Sequence, residues 1–274
     1  MSITRRLVKA EALLSSLDAK RQAPPTLDAL QLFRSAVGSD PDPWQRDLLT
    51  TPARRVLLMA SRQSGKSTVT AVMALHEVLY SPGSLTLCVS PSLRQSSELY
   101  RKVVVGLGKM GQDVSIEAQS ALRLETKTGA RVISLPGSEQ TVRGYSRPSL
   151  ILVDEAARVD PALIEGALRP MLATAPDARM VLLSTPWGRS GAFYNYWMDG
   201  GPEWKRVMVT ADQVSRISPA FLEQERRALP RHVYLSEYFC EFTDNELSVF
   251  STEDIHAALD PTLEPLFPSH KWEG

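Results

Sequence analysis

Two cysteines, no apolar run approaching the ~20 residues of a membrane span and no net charge are the first features of this 274-residue sequence. Cys88 stands in an apolar stretch and Cys240 in a mixed one, without metal-ligand spacing, so both are expected as reduced core residues rather than a disulfide. The basic N-terminus lacks the continuous apolar core of a secretory signal, which makes a cytosolic protein the expectation. Lys and Arg number 31, as do Asp and Glu, which excludes a chain that is basic all over. The charges are nevertheless segregated: nine Lys and Arg face five acids over 85–148, whereas Lys271 alone faces seven acids from 244 onward. There is no internal repeat and no low-complexity tract. At 43% apolar residues the chain can bury a full core, and one domain with an appended helical part is expected.

What is present is concentrated in the run MASRQSGKST at 59–68. Ala60, then Gly65-Lys66-Ser67, reproduces the phosphate-loop pattern G-x-x-x-x-G-K-[ST] with one substitution, Ala for the first Gly. In such a loop the backbone N–H groups and the N-terminus of the next helix cradle phosphate oxygens. The lysine supplies a point charge to the β and γ phosphates, and the hydroxyl ligates Mg²⁺. A turn that merely contains Gly-Lys-Ser is the alternative. Against it, RRVLLMA before the loop reads as a buried strand, and STVTAVMALHEVLY after it as a helix with Val69, Val72, Met73, Val78 and Leu79 at helical spacing. A second motif, Ser149-Leu-Ile-Leu-Val-Asp-Glu155, is an apolar run ending in two carboxylates, as where a central parallel strand emerges at its C-terminal edge. Asp154 is the expected metal ligand with Ser67, and Glu155 the base that polarises the attacking water. The bland reading, a pair of acids capping the next helix, needs no such run before it.

Along the chain, 3–20 reads as an amphipathic helix ended by Ala23-Pro24-Pro25, and 27–37 as a second helix. Strand-like runs at 55–60, 85–90, 131–135, 150–154, 180–184 and 205–209 alternate with helical patterns, which predicts an α/β fold with a mainly parallel sheet flanked by helices. LRLET and RVISLP, joined by Lys127-Thr128-Gly129-Ala130, are expected as a hairpin inserted in that alternation. Helical patterns near 219–238 precede an acidic, Pro-punctuated tail expected to be a linker. In the helix expected over 93–110, Leu99, Val103, Leu107 and Met110 form one stripe, and Arg94, Arg101, Lys102 and Lys109 share the opposite face. That face is either a solvated surface or a track for phosphates.

Taken in order, the motifs resemble the ATPase domain of the large terminase subunit of tailed bacteriophages. They are Trp44-Gln45-Arg46, Arg62-Gln63 before Ser64-Gly65-Lys66-Ser67, Val153-Asp154-Glu155-Ala156, Ser184-Thr185-Pro186, and Glu237-Tyr238 with Glu241-Phe242, spanning about 40–250. The resemblance implies a P-loop ATPase of the additional-strand (Asp-Glu) type, with an N-terminal helical extension over 1–40, a core with a lid-like closing segment over 41–245, and a linker over 246–274 toward a nuclease domain that is not in this chain. It implies ATP and Mg²⁺, double-stranded DNA, a portal protein, a small terminase subunit and self-association into a ring, with no membrane, in the host cytoplasm. Nucleotide contact falls on Gln45, as reader of the adenine edge, and on Ser61, Arg62, Gln63, Ser64, Gly65, Lys66, Ser67 and Thr68. Coupling to the γ phosphate falls on Ser184, Thr185 and Pro186, for which a simple strand-ending turn is the alternative.

Two arginines are candidates to neutralise charge on the transferring phosphoryl group. Arg62, inside the loop, would act in cis or position Glu155; Arg143, in Gln140-Thr-Val-Arg-Gly-Tyr145, resembles the position that reaches a neighbouring subunit's site. Besides a DNA-translocating motor, a helicase-like or remodelling ATPase and a nucleotide-gated assembly module fit the same motifs. The absence of a second RecA-like core in 274 residues counts against an autonomous helicase.

Overall fold

A computed structural model describes residues 27–110 and 116–243, together with Ala258. The expected helix at 3–20 and, but for Ala258, the tail over 246–274 lie outside the described residues. The described chain opens with α1 (Ala29–Val37) and α2 (Pro43–Thr50), then β1 (Arg55–Ala60), α3 (Lys66–Tyr80), β2 (Leu85–Ser90) and α4 (Leu93–Lys109). Three strands follow, β3 (Ile116–Gln119), β4 (Arg123–Thr126) and β5 (Arg131–Pro136), then a helical turn at Glu139–Val142. After β6 (Leu150–Asp154) come short 3₁₀ and π-helical turns, β7 (Arg179–Ser184), α5 (Gly191–Asp199), β8 (Trp204–Val209), α6 (Pro219–Ala228) and α7 (Arg231–Phe239).

The strands form one sheet in the order β3-β4-β5-β2-β6-β7-β1-β8. Every pairing from β5 to β8 is parallel, and β3 and β4 are antiparallel additions at one edge. The fold is therefore the expected α/β sheet, with β4 and β5 forming the expected hairpin. The positive φ of Gly129, 77°, closes its turn. β3 escaped sequence reading because all four of its residues are exposed, so no apolar alternation marks it.

Alternate residues of each central strand enter opposite cores, which is why these strands read as continuous apolar runs. Val56, Leu58 and Ala60 of β1 pack with α1, α3 and α4 on one face, while Leu57 and Met59 pack with Leu163, Ile164, Leu168 and Phe193 on the other. Leu32, Phe33 and Ala36 of α1 are buried in the same core as Val72 and Leu75 of α3. At roughly 1.5–3 kcal/mol for each fully buried large aliphatic or aromatic side chain, that packing fixes α1 against the sheet. Cys88 and Cys240 are buried free thiols, as expected. No helix among the described residues is long and apolar enough to cross a membrane.

Strand order decides what meets at the C-terminal edge. β7 inserts between β6 and β1, so the segments leaving β1 and β6 flank the end of β7.

Candidate functional site

The phosphate loop is pinned from two sides and by one bond within itself. The Ser61 N–H donates to the Val209 carbonyl at the end of β8, the Arg62 N–H donates to the Glu237 carbonyl in α7 (both 2.9 Å), and the Ser64 hydroxyl donates to the Ser61 carbonyl at 2.8 Å. Gln63 and Gly65 have φ of 59° and 95°, turning the backbone tightly before α3 starts at Lys66. A Cβ at 65 would also lie 2.9 Å from Gln45 Nε2 and 3.3 Å from Arg216 Nη2, so both side chains would have to shift to admit one. The result is a curled loop leading into a helix N-terminus, the arrangement that receives anions. Thr68 lies in the first turn, its N–H donating to Gly65 O.

The two carboxylates at the end of β6 each meet a loop side chain. The Ser67 hydroxyl donates to Asp154 Oδ2 at 3.1 Å, and Lys66 Nζ stands 3.4 Å from Glu155 Oε1. Asp154 is 8% exposed. Its burial pushes the carboxyl above the ordinary carboxylate range, the Glu155 charge adds to that rise, and Lys66 and the Ser67 hydroxyl oppose it. Glu155 itself is held in the left-handed region, φ 52° and ψ 43°, a conformation that costs a non-glycine residue on the order of 1 kcal/mol or more. Its carboxylate meets Lys66 and makes no cap hydrogen bond to the following 3₁₀ turn, so Glu155 is not a helix cap.

Ser184 and Thr185, at the end of β7, are buried beside this pair. Ser184 Oγ accepts from the Ala157 N–H at 3.2 Å, tying the β7 end to the segment after Glu155, and Pro186 O accepts from the Ser236 hydroxyl of α7 at 3.1 Å. α7 therefore touches both the phosphate loop and the Ser184-Thr185-Pro186 turn. Arg62 extends toward this helix: its Nε lies 2.9 Å from Glu237 Oε2, with Arg158 4.0 Å from the other oxygen. Arg158 in turn stacks 3.8 Å over the exposed Trp187 ring, on the wall of a cavity of about 840 Å³.

Gln45 is buried against the loop, its Oε1 accepting the Asp42 N–H at 2.9 Å. Arg143 is exposed in the turn that follows Glu139–Val142, on the connection from β5 to β6. On α4, Arg94, Arg101, Lys102 and Lys109 share an exposed face, but Arg101 pairs with Glu98 at 2.9 Å and Lys109 Nζ donates to the Ala36 carbonyl of α1 at 3.1 Å.

Sequence reading missed Arg216, which no local pattern marks, and noted Glu237 only as part of the closing-segment motif, without a site role. Arg216 meets Asp42 across 174 positions of sequence and donates to the Ser64 carbonyl at 2.7 Å.

Residues 57–257 match the family described as terminase large subunit, T4likevirus-type, N-terminal. The chain belongs to this terminase large subunit family. It is 26% identical over 259 residues to the terminase large subunit of Thermus virus P23-45, covering 81% of this chain and 53% of that protein. It thus spans about half the length of the curated relatives it matches. In fold it is similar to the large terminase ATPase domain of Thermus phage P74-26, with a TM-score of 0.70 at 21% identity over 79% of this chain and all of that one. It is also similar to the large terminase of a thermophilic bacteriophage solved in complex with ATP-γ-S, with a TM-score of 0.55 at 14% identity over 80% of this chain and 53% of that one. At these identities both likenesses bear on the fold, which is the helix-flanked α/β sheet of large terminase ATPase domains.

Proposed function

We propose that this chain is the ATP-hydrolysing motor part of a phage DNA-packaging terminase, which couples hydrolysis to movement of double-stranded DNA into a procapsid. The observation that carries the reading is the double pairing across the end of β7: Lys66 with Glu155, and Ser67 with Asp154. A lysine and two carboxylates held that close, with little solvent, are poised to exchange partners when a triphosphate enters.

In this reading the N–H groups of the loop and of the first turn of α3 receive the phosphate oxygens, and Lys66 turns from Glu155 to the terminal phosphates. Glu155, released from Lys66, orients a water and takes its proton. The Ser67 hydroxyl and Asp154 carboxylate are hard oxygen donors 3.1 Å apart, a pair that would hold Mg²⁺, and the ion would neutralise charge on the phosphate oxygens. Ser184, Thr185 and Pro186 sense the terminal phosphate and pass its loss to α7 through Ser236. Gln45 reads the adenine edge.

Arg143 serves in trans. Its exposed place in the turn before β6 suits an arginine offered to a neighbouring copy in a ring on a portal, with a small terminase subunit as a further partner. Arg62, held by Glu237, adjusts the loop in cis. Residues 1–40 are assigned as the N-terminal helical extension, of which α1 packs into the core, 41–245 as the ATPase core with α6 and α7 as its lid-like closing segment, and 246–274 as the linker; nuclease activity is not assigned to this chain. The setting is the host cytoplasm. DNA is contacted along the 85–148 region, including the Arg94, Arg101, Lys102 and Lys109 face.

Calorimetry with Mg-ATP tests the core of this reading: the chain should give a heat of binding that Lys66→Ala abolishes. A Lys66→Ala chain that binds Mg-ATP like its parent overturns it.

A further inference from the structure

Arg216 lies between β8 and α6, outside every motif, yet it joins two parts of the site. Its Nη1 stands 3.0 Å from Oδ1 and 2.8 Å from Oδ2 of Asp42, the residue that precedes α2. Its Nη2 donates to the Ser64 carbonyl at 2.7 Å and would lie 3.3 Å from a Cβ on Gly65. The Asp42 N–H in turn donates to Gln45 Oε1. A continuous chain of charge-assisted and neutral hydrogen bonds thus runs from Gln45 through Asp42 and Arg216 to the carbonyl one residue before Gly65.

We propose that Arg216 is a positioning residue that fixes the Gln45 helix at a set distance from the phosphate loop, so that recognition of the base adds to the binding of the triphosphate. The inference rests on Gln45 as the base-reading residue. Its physical basis is geometric. The loop is held by the Ser64 hydroxyl on the Ser61 carbonyl and by the Arg62 N–H on the Glu237 carbonyl, so the Ser64 carbonyl is a fixed point on the loop that a guanidinium can grip. The same planar group spends its other nitrogen on a carboxylate at the start of α2, and a rigid fork transmits distance between two acceptors where a lysine ammonium on a flexible stem would not. Two subsites held in register bind one ligand more tightly than two that must be ordered first.

Four chains test this: the parent, Arg216→Ala, Arg216→Lys and Gln45→Ala, each titrated with Mg-ATP, Mg-GTP and Mg-tripolyphosphate, with thermal melting of each as a control. Arg216→Ala is expected to weaken ATP about tenfold, the size of one charge-assisted hydrogen bond, and to lose most of the preference for ATP over GTP while holding tripolyphosphate within about twofold. Arg216→Lys is expected to keep the charge and still lose the preference. Equal weakening of ATP and tripolyphosphate by Arg216→Ala, or full recovery by Arg216→Lys, overturns the proposal by reducing Arg216 to loop stability or bulk charge. The premise is read separately. If Gln45→Ala leaves the ATP preference intact, base reading by Gln45 falls and the inference with it. If Gln45→Ala abolishes the preference and Arg216→Ala does not, only the role of Arg216 falls.

Discussion

Replacing Glu155 by Gln should make the chain bind ATP more tightly while nearly stopping its turnover. Lys66 Nζ and Glu155 Oε1 are 3.4 Å apart, and Lys66 is only 10% exposed. At an effective dielectric of about 20, that separation corresponds to a gross attraction of about 5 kcal/mol. Solvent reaches the 23% of the Glu155 side chain that is exposed, and desolvation of both charges opposes the pair. The net hold on Lys66 is therefore about 1–3 kcal/mol. A triphosphate must overcome that hold, so Glu155→Gln is expected to tighten Mg-ATP binding roughly 5- to 150-fold. Gln keeps the shape and hydrogen-bonding reach of Glu but cannot take a proton, so turnover should fall about 10²- to 10⁴-fold. Calorimetry with Mg-ATP gives the first quantity and phosphate release gives the second. Weaker ATP binding by Glu155→Gln, or turnover within threefold of the parent, refutes the exchange of partners and the role of Glu155 together.

Arg143→Ala should abolish turnover of the assembled ring while ATP affinity of the isolated chain stays within about twofold of the parent's; loss of nucleotide binding counts against action in trans. Neutralising Arg101 and Lys102 together should flatten the dependence of log K for DNA on log salt by about 2, measured by anisotropy, and an unchanged slope removes the α4 face from DNA contact. Burial raises both the Cys88 and Cys240 thiols to about 12 from an ordinary 9.0. Neither should react with a thiol reagent at pH 8 until the chain unfolds, and rapid labelling of the native chain contradicts their burial. Between pH 9 and 12 the unfolded chain gives up these protons while the folded chain keeps them. Stability should therefore fall as pH rises through that window, by up to about 2.7 kcal/mol per pH unit for the two thiols, whereas a flat denaturation midpoint there excludes the linkage.

Much of the fold was legible because the central strands are buried on both faces and so carry unbroken aliphatic runs such as Val56-Leu57-Leu58-Met59. The phosphate loop was legible because its glycine, lysine and serine must be contiguous to do their work. β3 was not, since an exposed edge strand needs no apolar pattern. Nor were the contacts of Lys109, which looked like one of four equivalent cations until α1 supplied the Ala36 carbonyl to receive it.

What the sequence determined by itself is the chemistry on offer: one lysine and one hydroxyl at the start of a helix, two acids at the end of a strand, and the alternation of strand and helix that makes them edge residues. Tertiary structure decided which of these meet. The insertion of β7 between β1 and β6 brings the 66–67 and 154–155 pairs across one strand end, and the return of the chain through β8 and α7 brings Arg216 and Glu237 to the loop. Local patterning encodes burial and backbone conformation, which depend on neighbours in sequence. Strand order and long-range ion pairs depend on how separate segments share one sheet, and no window of sequence carries that.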